Sequence, residues 1–177
     1  MEQRRFAQLT ALVTETILND PQLRASPEGL PAREARLRRI HALQRLGDGM
    51  TARREWDDLT RPPANAPASD GPSSNPSPSV SVSVSLNDPR LFRLAAEVAD
   101  ALARFDQAAT LWNAHSRRLT TGSNDWLDAR FHLAVSLQRL GRPRDARRVL
   151  EAAAVLVPEL GGGRLQTRIA TLRQQLR

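Results

Sequence analysis

Residues 125–158 read DWLDARFHLAVSLQRLGRPRDARRVLEAAAVLVP, and the punctuation of this stretch decides the fold. Leu127, Phe131, Ala134, Leu137 and Leu140 recur at steps of three and four, the stripe of a helix that buries one face. Gly141 suits the left-handed residue that commonly closes a helix. Pro143, two residues on, has the φ that the first turn of a new helix requires. Asp145 falls in that first turn, where the helix dipole favours a carboxylate. A second stripe runs Ala146, Val149, Leu150, Ala153 and Val155 or Leu156, until Pro158 forbids continuation and biases Val157 towards an extended conformation. The pattern predicts a helical hairpin with a very short turn.

Ala134, Ala146 and Ala153 lie on these buried stripes, where methyl groups let two antiparallel helices approach and Leu137 and Leu150 interlock beside them. The intervals between Ala134, Leu137, Gly141, Ala146, Leu150, Ala153 and Pro158 resemble the tetratricopeptide repeat, a two-helix unit of ~34 residues. Trp126 stands for that family's early aromatic, a few residues ahead of its usual place. The resemblance implies an all-α fold, with antiparallel helical hairpins stacked as a short α-solenoid under a C-terminal capping helix. It also implies that the first helices of successive hairpins line a concave groove receiving an extended peptide or a helix.

The chain repeats this unit. The segment from Ala35 aligns without a gap on the segment from Ala129, with identities at Ala35, Arg36, Leu43, Gln44, Arg45, Leu46, Gly47, Ala52, Arg53 and Arg54. Larger residues enter the seam of this earlier copy: Ile40 stands for Ala134 and Trp56 for Leu150. A middle copy keeps Ala96, Ala99, Ala103, Ala108, Trp112 and His115 at the same intervals, after a cap-like Asn87-Asp88-Pro89. There Arg104 is expected in the place of the turn glycine.

Around these copies the organisation is read as four parts. Residues 1–60 hold an N-terminal helix from about Gln3 to Asn19, with Phe6, Leu9, Val13, Ile17 and Leu18 on one face, followed by the divergent hairpin. Residues 61–87 form a Pro/Ser-rich flexible linker, whose composition does not offset the entropy of ordering. Its end, Val80 to Leu86, alternates valine and serine and reads as an extended tail rather than an edge strand, since no second strand is evident. Residues 88–160 hold two hairpins. Residues 161–177 carry a glycine hinge and a last helix with Leu165, Ile169, Leu172 and Leu176 on one face, the capping helix a solenoid needs.

Composition narrows function more by exclusion than by suggestion. The chain of 177 residues has a formal charge of +7, and its 26 basic residues are all arginine. Absence of lysine beside abundant Ala, Arg, Pro and Leu matches the codon bias of a GC-rich bacterial genome, which discounts the charge as a nucleic-acid signal. Arginine spread over every helix reads as a solvated face, and no reader motif or aromatic platform accompanies it. There is no cysteine, hence no disulfide framework and no thiolate chemistry. The N-terminal stretch lacks the uninterrupted apolar core of a signal peptide, and nothing approaches ~20 consecutive apolar residues. A cytoplasmic protein is expected.

Candidate chemistry is sparse. His41, His115 and His132 are too scattered for a metal cluster, and His115 reads as a packing residue with one satisfied nitrogen. No nucleophile elbow or nucleophile–base pattern occurs. Gly161-Gly162-Gly163 lacks the flanking strand and Lys-Ser/Thr of a phosphate loop. Asp57-Asp58 and Asp125/Asp128 read as solvated or first-turn charges. Trp56 and Trp112 fall on packing seams, whereas Trp126 suits either core or binding surface. No enzyme activity, cofactor or metal is expected.

Function is therefore assigned to a surface. The resemblance, transferred interval by interval, places Glu34, Leu37, His41, Gln44 and Arg45 of the first copy in the groove. The middle copy contributes Arg90, Arg93, Glu97 and Asp100, and the last Asp128, Phe131, Val135, Gln138 and Arg139. The expected role is a non-catalytic protein–protein interaction module, a scaffold or adaptor with a protein or peptide partner, open to homo-oligomerisation. Two alternatives are the helical C-terminal part of a larger enzyme or regulator, and a basic nucleic-acid-associated helical protein.

Overall fold

The computed structural model describes residues 30–61, 89–159 and 163–176, with the side chains of 30–32 and 89–90 left aside. The expected N-terminal helix, most of the linker, Val80–Leu86 and Gly161-Gly162 lie outside the described residues. Within them every regular element is an α-helix. In chain order these are α1 (Leu30–Leu46), α2 (Gly49–Thr60), α3 (Pro89–Ala101), α4 (Phe105–Ser116), α5 (Asn124–Arg139), α6 (Pro143–Leu156) and α7 (Gly163–Gln175).

Three turns, joining α1 to α2, α3 to α4 and α5 to α6, repeat one another bond for bond. In the last, Gly141 N–H donates to the Gln138 carbonyl at 2.9 Å and Arg142 N–H to the Leu137 carbonyl at 2.9 Å, the paired closure of a Schellman motif. Gly47 and Asp48 bond in the same way to Gln44 and Leu43, as do Ala103 and Arg104 to Asp100 and Ala99. The residue after each left-handed position starts the next helix: the carbonyls of Asp48, Arg104 and Arg142 accept from Ala52, Ala108 and Ala146. The intervals on which the three copies were aligned thus correspond to the same backbone bonds.

One position corrects the sequence reading. The left-handed residue of the middle turn is Ala103, at φ 59°, beside Gly47 at 92° and Gly141 at 73°. Arg104, expected there, sits one residue later and opens α4. Neither Arg104 nor Arg142 caps its helix with a side chain, as Asp48 does by accepting from Thr51 N–H at 3.2 Å. Their guanidiniums instead grip Asp57 at 2.9 Å and Asp145 at 2.8 Å.

Packing follows from residue size. Ala96, Ala99, Ala108, Ala134, Ala146 and Ala153 are buried where helices pass closest, and Trp56, Trp112, Leu127 and Leu150 fill the space beside them. Each large apolar side chain so buried contributes about 1.5–3 kcal/mol. Consecutive helices pack within each hairpin, α3 also packs on α1, α4 on α5, and α7 more sparsely on α5 and α6. The first hairpin shares one buried cluster with the second. Three polar links hold them together: the Gln44 amide donates to the Ala101 carbonyl, Trp56 Nε1–H to Gln107, and Arg104 to Asp57.

Helix ends largely follow the punctuation. Pro143 opens α6, and α6 ends at Leu156 before an extended Val157. Asn124 begins α5, two residues before Trp126, because the Ser123 hydroxyl accepts from Trp126 N–H. That turn also buries Trp126, giving it a packing role. Val155 and Leu156, expected to extend the buried stripe of α6, are 80% and 59% exposed. Val155 follows Ala153 by two residues, which rotates it off the face that meets α5, whereas Leu156, three residues on, keeps the side of the stripe and is left uncovered at the end of α6. On α7, Ile169, Leu172 and the adjoining Leu176 are buried as the stripe required. Among the described residues no helix is long and apolar enough to cross a membrane.

Candidate functional site

The positions assigned to a groove converge best on α3 and α5. From α5, Phe131, Val135 and Arg139 fall at i, i+4 and i+8, so helical geometry puts them in one row. Glu97 and Asp100 of α3 stand beside that row. Together with Trp112, His132 and Arg168 they line a cavity of about 330 Å³. Phe131, Val135, Arg139 and Arg168 also line a second cavity of about 590 Å³ between α5 and α7. The two cavities share Phe131, Val135, Arg139 and Arg168 as a common wall.

A polar network fixes its α3 side. Asp100 accepts from Trp112 Nε1–H at 2.8 Å through one carboxylate oxygen and from the Ser136 hydroxyl at 2.8 Å through the other. One side chain thereby ties α3, α4 and α5. Trp112 in turn stacks on His132, their ring centroids 4.7 Å apart and planes inclined by 19°. Arg93 donates to Glu97 at 3.0 Å and lies 3.7 Å from Asp128. The bond to Glu97 is the largest influence holding the Arg93 guanidinium above its ordinary value.

Asp128 proves to be more than a solvated charge. It stands 3.7 Å from Arg93, 3.7 Å from His132 Nε2 and 3.8 Å from Arg168, tying α3 and α5 to α7. Despite that carboxylate, burial pulls His132 below the ordinary histidine value of 6.5, and nearby Arg168 lowers it too. Burial likewise lowers His41 and His115. His115 is buried as expected for a packing residue, yet its Nδ1 has no hydrogen-bond partner among the described residues.

Other expected groove positions do different work. Leu37, at 1% exposure, belongs to the core: α3 packs over that face of α1. Gln44 is spent on the link to Ala101, and Glu34 pairs with Arg38. Arg45 is exposed, His41 is half-buried, and Arg90 lies in the first turn of α3 with its side chain outside the description. Gln138 lines the α5/α7 cavity. Among the described residues no group of three or more His, Cys, Asp or Glu is placed to hold a metal ion.

The contribution of α7 was not anticipated. Arg164, Arg168, Thr171 and Gln175 line the larger cavity with Leu172. Their spacing of four, three and four residues is the polar stripe flanking the buried one, and that stripe was the available signal. Arg168 lies 4.3 Å over the Phe131 ring, and Arg139 lies 5.2 Å over that of Phe105. No family model, no curated protein and no solved structure matches this chain.

Proposed function

We propose that this chain is a non-catalytic protein-interaction module of tetratricopeptide-like type, a bacterial cytoplasmic scaffold or adaptor that receives a peptide or helix of a partner in the groove of α3, α5 and α7. The observation that carries this reading is the pair of adjoining cavities that share Phe131, Val135 and Arg139, walled by helices whose hairpin turns repeat with the same bonds. An apolar floor with polar groups at its rim suits recognition of a folded or extended polypeptide. Its acidic groups on α3 are already bonded within the protein, an arrangement that favours positioning over proton transfer.

The test is capture from a high-GC bacterial lysate at moderate and high salt, comparing intact protein with Val135→Glu and with Val155→Ser as a surface control. A protein retained at high salt, lost with Val135→Glu and kept with Val155→Ser supports the reading. Recovery of nucleic acid alone, released by salt, replaces it with the charge-driven alternative.

A further inference from the structure

Among the described residues, the wall between α5 and α7 carries more cations than carboxylates beside them. Phe131, Val135 and Leu172 form the apolar part of the cavity, Arg139, Arg164 and Arg168 its cationic part, and among the described residues neither Asp nor Glu lines it. Arg168 shares Asp128 at 3.8 Å with two other groups. Among the described residues Arg139 and Arg164 have no carboxylate within ion-pair distance, and Arg139 lies instead over the Phe105 ring. A ligand covering the cavity would strip water from these guanidiniums, which is costly unless the ligand brings the opposite charge.

We propose that the α5/α7 groove binds an acidic segment of a partner protein, one leucine- or phenylalanine-like side chain resting on Phe131, Val135 and Leu172 while flanking carboxylates meet Arg139, Arg164 and Arg168. This rests on the interaction-module reading. Planar guanidiniums pair with carboxylates through two parallel hydrogen bonds, and they do so most strongly where apolar surface excludes water. A sugar–phosphate strand fits less well: it offers nothing to an aliphatic floor, and the face of Phe131, the aromatic available for stacking a base, is covered by Arg168. Outside the described residues the chain carries Ile17-Leu18 between Glu15 and Asp20, which supplies two carboxylates for three cations.

The experiment uses the full chain and arrayed 12-residue peptides, acetylated and amidated, in which Asp and Glu are permuted with Leu, Ile and Phe. Matched twins replace every acid by its amide or by lysine, and a 20-nucleotide single-stranded DNA serves as a further probe. The best acidic peptides should bind about tenfold or more tighter than their amide twins, as one to two charge-assisted hydrogen bonds require. Arg139→Glu/Arg164→Glu should abolish that preference and favour the lysine twins. Arg139→Gln/Arg164→Gln should remove it without reversal, with helix content by circular dichroism unchanged in both.

Equal binding of acidic and amide twins overturns the charge inference. If that binding is still lost in Val135→Glu, the interaction module stands without it; if Val135→Glu also leaves it unchanged, both readings fall. DNA binding lost in the double Glu variant, with no peptide bound, overturns the proposal in favour of a nucleic-acid surface. A rise in acidic-peptide affinity on Glu15→Gln/Asp20→Asn overturns the external partner in favour of the chain's own segment.

Discussion

Substituting Ala103 by glycine should stabilise this protein, against the usual direction of an alanine-to-glycine change. Ala103 holds φ 59° in a turn whose two counterparts, Gly47 and Gly141, are glycines at 92° and 73°. A left-handed conformation costs an L-residue roughly 1–2 kcal/mol, while glycine loses about 0.5–1 kcal/mol more backbone entropy on folding. The Ala103 methyl is exposed, so its removal forfeits little packing. The difference leaves Ala103→Gly more stable by about 0.5–1 kcal/mol, or ~1–4 °C in melting temperature for a chain of this length. Gly47→Ala and Gly141→Ala should each lose a similar amount. A Cβ at either position would meet nothing within 4 Å, so their cost is conformational and not a clash. Thermal melts at 222 nm of the three variants, taken beside the wild type, measure all of this. A lower melting temperature for Ala103→Gly, or no change in either glycine variant, would refute the equivalence of the three turns.

Other expectations are equally direct. Asp100→Ala should destabilise by about 2–4 kcal/mol, because it strands the Trp112 indole N–H and weakens the α3–α5 tie; urea titration at neutral pH checks it. Ser136→Ala should cost only about 1 kcal/mol, since the Trp112 bond to Asp100 survives. His41, His115 and His132 all lie below their ordinary 6.5 in the folded protein. The unfolded chain therefore takes up protons first on acidification, so stability is full above 6.5 and falls as pH drops through the lowered folded values. Urea midpoints between pH 7.5 and 5 should decline accordingly, and His132→Gln should flatten the slope. Ala146→Leu should destabilise by about 1–3 kcal/mol through overpacking at the α5/α6 seam, read by the same titration.

The turns were legible because their determinants are local. Gly47 and Gly141 announce left-handed residues, Pro143 a first helical turn, and the alanines spaced from them a close seam. Ala103 shows where that legibility stops. With no glycine to mark it, the left-handed position is expected at Arg104, one residue late, although the interval between copies sets Ala103 opposite Gly141, as the repeated bonds of the folded turn do. The groove divides in the same way. Phe131, Val135 and Arg139 share a helical row by spacing alone, and Glu97 and Asp100 follow from the interval between copies.

Burial of Leu37, in contrast, depends on how α3 covers α1, and the exposure of Val155 and Leu156 depends on what α6 does not meet. Neither is encoded within one helix. The same is true of Asp128, whose two arginine neighbours, Arg93 and Arg168, come from α3 and α7, and of Arg164 and Arg168, which become groove residues only when α7 lies against α5. By itself the sequence determined the helices, their short turns and the small-residue seams, since each is a contest between residues a few positions apart. Which polar faces meet across the hairpins, and which arginines are left without a carboxylate, were decided by tertiary structure, because charge pairing and desolvation depend on distances that chain separation does not set.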